Sequence, residues 1–167
     1  MQQALAERRP QTELQSLRQT LLGLALGAEI VLDLHCDNEG VMHLYSTPEQ
    51  AELSLQLGQC LQAPLALLAN ESGDAPFDEA CSGPWLRLQK AFAGRHPVAF
   101  GCYAATVDHR GVCDVTHELA AQDAEGLLRF LGLRGFIAGP DEPAPFECAL
   151  RPLAGSMPVR APHAGVL

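Results

Sequence analysis

Val31-Leu32-Asp33-Leu34-His35-Cys36-Asp37 is an apolar run that ends in a histidine flanked by acids. With Ile30 before it, the run has the near-continuous hydrophobicity of a strand covered on both faces. In open α/β sheets, ligands and metals are held at the carboxyl ends of such strands. His35 is therefore the first candidate site residue. Asp33 shares its strand face, and a carboxylate beside a ligating imidazole fixes its tautomer and raises its basicity. A histidine at a strand end also suits a purely structural role, so spacing alone leaves both open.

Upstream of this stretch, Thr12 and Gln15 form a capping pair. Leu14, Leu17, Leu21 and Ala25 then recur at helical spacing, with Gly27 as the C-terminal stop. Downstream, an Asn38-Glu39-Gly40 turn leads into a second strand, Val41 to Ser46. Thr47-Pro48-Glu49-Gln50 opens a helix whose buried stripe is Leu53, Leu57, Cys60 and Leu61. A third strand is predicted over Pro64 to Ala69, followed by a polar loop of the kind that lines sites. Residues 77 to 93 lean towards helix, with a break or kink at Gly83-Pro84. Pro97 to Val107 reads as a long strand. Thr116 then caps a last helix with Ala120, Ala124, Leu127, Leu128 and Leu131 on one face, ended by Gly135. This alternation predicts an α/β fold with a sheet layered between helices. Beyond Gly139 prolines punctuate the chain without helical period, so residues 1–139 read as one α/β domain. Residues 140–167 read as a linker and the start of a β-domain.

The 167 residues are about one domain's worth of chain and can bury a real core. A composition of 47% hydrophobic and 19% charged residues is that of a folded globular protein. The net charge of -9 argues against nucleic acid and anionic membrane surfaces as partners. No apolar run approaches the ~20 residues of a membrane span. Met1-Gln2-Gln3-Ala4 starts no signal-peptide core, so a cytoplasmic location is expected. The six cysteines include no C-x-x-C pair, which disfavours a structural zinc site and leaves most of them as small apolar fillers.

A second candidate patch is Thr106-Val107-Asp108-His109-Arg110-Gly111. It closes the longest predicted strand, so Asp108 can sit at the same sheet edge as His35. There it could act as general base towards a metal-bound water, and Arg110 could hold a carboxylate or an oxyanion. A solvated turn with a local Asp–Arg pair fits the same residues. His43 is on an alternating strand that can point it to the same cleft, with core packing the favoured reading, while Trp85 and Phe77 read as core and Asp78 and Glu79 as acids favoured in a first helical turn.

Val31 to Glu39, with Val41-Met42-His43-Leu44-Tyr45 after it, resembles the succinylglutamate desuccinylase/aspartoacylase family. Glu71-Ser72-Gly73-Asp74, Pro76 to Cys81 and the tail from Pro158 to Leu167 carry the same likeness. The resemblance implies a three-layer α/β/α mixed sheet of zinc-carboxypeptidase type, represented by its carboxyl-terminal part with a short β-tail. It implies a zinc-dependent hydrolase of N-acyl amino acids or related small amides. His35 would be the last of three protein zinc ligands, with Asp33 behind it, and the first two would come from an upstream H-x-x-E segment. No histidine here has a glutamate three positions later, so the site is expected to be incomplete on this chain alone.

Where the family reads roughly T-V-E-L-R-G, this chain has Asp108 in place of the general-base glutamate. That draws the carboxylate back by about 1.5 Å. Arg110 would contact the substrate carboxylate. The alternative is a non-catalytic binding or subunit-interaction module with the same fold, with a homo-oligomer as a further expectation. A thiol hydrolase built on Cys36 and a histidine is a third.

Overall fold

The computed structural model describes residues 5–73, 76–140, 142–143, 145–157, 159 and 163. Helix α1 spans Glu13–Ala25, β1 Ile30–Asp37, β2 His43–Ser46 and α2 Ala51–Leu61. These are followed by β3 Leu65–Leu68, α3 Phe77–Phe92, β4 Tyr103–Gly111, α4 His117–Leu133 and β5 Ala149–Pro152. The strands form one mixed sheet in the order β1-β4-β2-β3-β5. Strands β1 and β4 run parallel to each other, and antiparallel to the parallel set β2, β3 and β5.

Alternation along β4 sorts the sheet into two faces. Tyr103, Ala105 and Val107 pack with Leu44, Leu57, Leu61 and Phe130 in the larger core, under α2 and α4. Cys102 and Ala104 face the other way and meet Ala25 of α1 with Cys81 and Trp85 of α3. The α/β/α layering read from the sequence is thus present. Burial of Cys81 in the second core pushes its thiol up to about 12, in keeping with a filler role.

Local signals hold where the chain itself satisfies its caps. Thr12 Oγ1 accepts from the Gln15 amide at 3.2 Å, and Gln15 Oε1 accepts from the Gln11 amide at 2.7 Å. Thr116 Oγ1 likewise accepts from Leu119 N. Other expectations are corrected. Gly83-Pro84 does not break the helix, for α3 is continuous with Pro84 inside it. Burial of Cys81, Ser82 and Leu86 on either side offsets the one backbone bond that proline removes. The long strand begins at Tyr103 rather than Pro97, because Gly101 is where Trp85 lies against the backbone and a side chain there would meet the ring.

The buried face of α4 is only partly the one predicted. Leu127 packs against the larger core, and Gly126 and Phe130 are buried, whereas Ala120, Ala124 and Leu128 are exposed. On α1 only Ala25 is buried, and Leu14, Leu17, Leu21 and Leu24 face outward. Residues 149–152, assigned from sequence to a linker and β-tail, pair in parallel with β3 and belong to the main sheet. Most of the tail that carries the family likeness, 158 and 160–162 and 164–167, lies outside the described residues.

Helices α2 and α4 approach closely at Gly126, where an added Cβ would lie 2.7 Å from the Cys60 carbonyl oxygen. Helix propensity alone favours alanine over glycine by about 1 kcal/mol. Overpacking against backbone works in the opposite direction, so Gly126→Ala is expected to lower stability by about 1–3 kcal/mol, read from urea unfolding.

Candidate active site

The ladder brings His35, Asp108 and His43 into one row across β1, β4 and β2. His35 is the register partner of Asp108 on one side, and His43 is its partner on the other. Because Val107 is fully buried on the opposite face, Asp108 projects towards the α3 side together with Thr106. Asp33, Thr106 and Tyr45 form the next row. A cavity of about 350 Å³ opens here, lined by His35, Tyr45, Thr106, Asp108 and, from α3, Asp78.

Each polar group has an identifiable setting. His35 is half exposed, and its Nε2 lies 3.1 Å from Asp33 Oδ1. Asp33 thus stands directly behind the imidazole. His43 Nε2 is 3.5 Å from Asp108 Oδ2 and 3.0 Å from the Tyr45 hydroxyl, while its Nδ1 is 2.9 Å from the Val41 carbonyl oxygen. Burial raises the Asp108 carboxyl above the ordinary aspartate range, His43 pulls it back and Asp37 adds to the rise. Asp78 is buried, with Oδ1 lacking a hydrogen-bond partner among the described residues. Burial raises its carboxyl too, against hydrogen bonds from the Glu79 amide and the Thr106 hydroxyl. Desolvation, Asp108 and Asp37 together push the Tyr45 hydroxyl up.

Asp37 reaches this group because β1 is irregular between His35 and Asp37, where the register with β4 shifts. Such bulges re-aim side chains at strand ends. Asp37, His43 and Asp108 offer ligand atoms that all lie within 4.8 Å of one another.

Arg110 is not brought to the cavity. Its guanidinium makes two 2.8 Å bonds to Asp123 of α4, and His109 Nδ1 donates to the same carboxylate at 3.0 Å. Cys36 is exposed and does not line the cavity. Sequence favours core packing for His43 over the cleft, and the structure places it in the Asp108 row instead. Asp78 reads from sequence only as a helix-terminus acid, and Asp37 only as one of the acids flanking His35. The alternation of Val41 to Tyr45 puts His43 and Tyr45 on one face.

The sequence matches no protein-family model and no curated protein. Solved structures are another matter. A succinylglutamate desuccinylase/aspartoacylase family protein from Shewanella amazonensis SB2B superposes with a TM-score of 0.85 at 29% identity over 98% of this chain. One so described from Shewanella frigidimarina NCIMB 400 gives 0.81 at 28% identity, again over 98%. The family resemblance extends to the three-dimensional fold. This chain spans 44–45% of the length of those two desuccinylase/aspartoacylase relatives. The ectoine utilization protein EutE (DoeB) from Ruegeria pomeroyi, solved with product bound, shares the fold with a TM-score of 0.55 and 16% identity, over 92% of this chain and 43% of its own. Among the described residues no helix is long and apolar enough to cross a membrane.

The Asp123 cluster carries its own pH signature. Burial alone would raise the Asp123 carboxyl, but Arg110 and His109 hold it below the ordinary range. A depressed carboxyl stabilises the fold above its unfolded pKa of about 3.9, and that contribution is lost as pH falls through the lower folded value. Asp123→Asn is expected to cost about 2 kcal/mol at neutral pH. It should also flatten the acid limb of stability below about pH 4, as followed by denaturant titration at several pH values.

Proposed function

We propose that this chain supplies the sheet-edge portion of a deacylase-type hydrolase site for N-acyl amino acids or related small amides. The observation that carries the reading is the row His35–Asp108–His43, of which His35 and Asp108 line a cavity of small-molecule size. The likeness to two desuccinylase/aspartoacylase proteins over 98% of the chain supports it.

In this reading Asp108 takes the proton from the attacking water and returns it to the leaving nitrogen. Its partial burial suits the task, since a carboxyl raised above the usual range is a stronger base when ionised. Zinc, implied by the family resemblance, would polarise the amide carbonyl when bound. The donor set fits a divalent ion, with imidazole and carboxylate groups concentrated at one strand edge. By resemblance His35 would hold it, with Asp33 orienting the ring through the 3.1 Å contact. Tyr45 and Thr106 offer hydroxyls for substrate oxygens. Arg110 is already bound by Asp123, so it contacts a substrate carboxylate only after that pair opens.

Asp108→Asn is expected to slow hydrolysis by about 10²–10⁴-fold. The assay follows release of free amino acid from a panel of N-succinyl and N-acetyl amino acids by the full chain in zinc-containing buffer. A wild-type rate equal to that of Asp108→Asn across the panel rejects the reading.

The outward-facing Leu14, Leu17, Leu21 and Leu24 of α1 support a second reading, a subunit-interaction module that forms homo-oligomers. A stripe of that kind seldom stays in water unless it is used. Sedimentation velocity should then show a mass above the monomer that falls to monomer in Leu17→Glu. A monomer at every concentration rejects this second reading.

A further inference from the structure

We propose that Asp78 is a substrate-recognition residue of the α3-side cavity, and that it takes the free ammonium group of a small acylated amine. The inference rests on the hydrolase reading for the reaction and names the class of substrate for it.

Asp78 is 5% exposed and lines the cavity from the first turn of α3. Its Oδ1 has no hydrogen-bond partner among the described residues. A buried carboxylate oxygen left without a donor is costly, and at a cavity wall a ligand can supply the donor. Of the other two acids in this wall, Glu79 accepts from the Ser72 amide at 2.6 Å, and Asp108 is the group that moves the proton. Asp78 is the acid left for recognition.

The charge of the missing donor follows from the composition of the wall. Three carboxylates line the cavity, and among the described residues no lysine or arginine does. Arg110 is bound to Asp123. Asp78 is the second residue of α3, where the positive end of a 16-residue helix favours the ionised form. The Glu79 amide and the Thr106 hydroxyl donate to its carboxyl as well. Hydrogen bonds to an ionised donor are roughly twice as strong as neutral ones, so an ammonium is favoured here over a neutral amide or hydroxyl. A ligand carboxylate in the same place would meet like charge.

The position of Asp78 also sets the size of the ligand. Thr106 and Asp108 are two residues apart on one face of β4, a step of about 6.6 Å. Because the Thr106 hydroxyl bonds to Asp78, recognition and proton transfer stand about one such step apart. A scissile amide at Asp108 and an ammonium at Asp78 therefore fit one short molecule, with a chain of about three carbons between the two nitrogens. The ammonium bonds to Asp78 and leaves Asp108 free to take and return its proton.

The experiment compares three ligands of one shape: monoacetylated propane diamine, the neutral N-butylacetamide and the anionic acetamidobutyrate. Each is titrated into the full chain by ligand-observed NMR, in buffer with a chelator so that zinc-dependent turnover does not intervene. The amine is expected to bind at least about tenfold tighter than the neutral amide, with the anion weakest. Asp78→Asn should bring the amine and the neutral amide to about the same affinity, and Asp78→Ser should do so if Asp78→Asn fails to fold by circular dichroism. Glu79→Gln removes a charge from the same wall and should keep the preference. The inference is overturned by equal binding of the three, by tighter binding of the anion, by binding of none, or by an amine preference that survives loss of the Asp78 carboxylate. Turnover of the same compounds in zinc is read separately. Hydrolysis without an amine preference in binding rejects this inference and leaves the hydrolase reading standing. An amine preference without hydrolysis supports the recognition site and counts against the hydrolase reading alone.

Discussion

Strand β4 pairs with β1 on one side and β2 on the other, and the register of that pairing sets everything at the site. Tyr103, Ala105 and Val107 are locked into the larger core beneath α2 and α4. A slip of one residue would drive Asp108 into that core and turn Val107 out. Burying an unpaired carboxylate among leucines costs several kcal/mol or forces its protonation. The hydrophobic alternation thus holds Asp108 in its row between His35 and His43, although none of the core residues touches the cavity.

Two charged clusters that are neighbours in sequence are separated here, His109 by alternation and Arg110 by the positive φ that breaks it. Asp108 faces the α3 side with Asp78, Thr106 and the histidines. His109 and Arg110, the next two residues, both reach Asp123 of α4. Arg110 sits at a φ of 71°, in a region non-glycine residues seldom visit, and its bidentate bond to Asp123 helps hold it there. One side of the strand end is therefore available for chemistry, and the other ties sheet to helix. Burial of this side, with a smaller contribution from neighbouring acids, raises the Asp108 and Asp78 carboxyls and the Tyr45 hydroxyl.

Much of the fold could be read from the chain because its signals are short-range. The apolar run from Ile30, the caps at Thr12 and Thr116, and the stripe of Leu57, Cys60 and Leu61 depend on neighbours within a turn or a strand. The misreadings came from contacts across the sequence. Pro84 stays in a continuous helix because Cys81 and Leu86 are buried on either side of it. The strand start moved from Pro97 to Tyr103 because Trp85 occupies the space at Gly101. The face of α4 is set by a glycine against the Cys60 carbonyl, which a hydrophobic periodicity cannot register. Strand β5 joined the main sheet because β3 offered it an edge.

His35 and Asp108 stood out in sequence as residues at strand ends, and the family resemblance gave them roles. By itself the sequence determined which strands are apolar, where they stop, and that acids and histidines gather at those stops, since strand propensity and alternation are properties of the local chain. Only the tertiary structure decided that β2 runs antiparallel beside β4 and brings His43 to Asp108. It alone bent the end of β1 to add Asp37, roofed the cavity with Asp78 and drew Arg110 away to α4. Those outcomes depend on which strands lie side by side and in what register, and backbone pairing over long sequence separations leaves no local mark on the residues it joins.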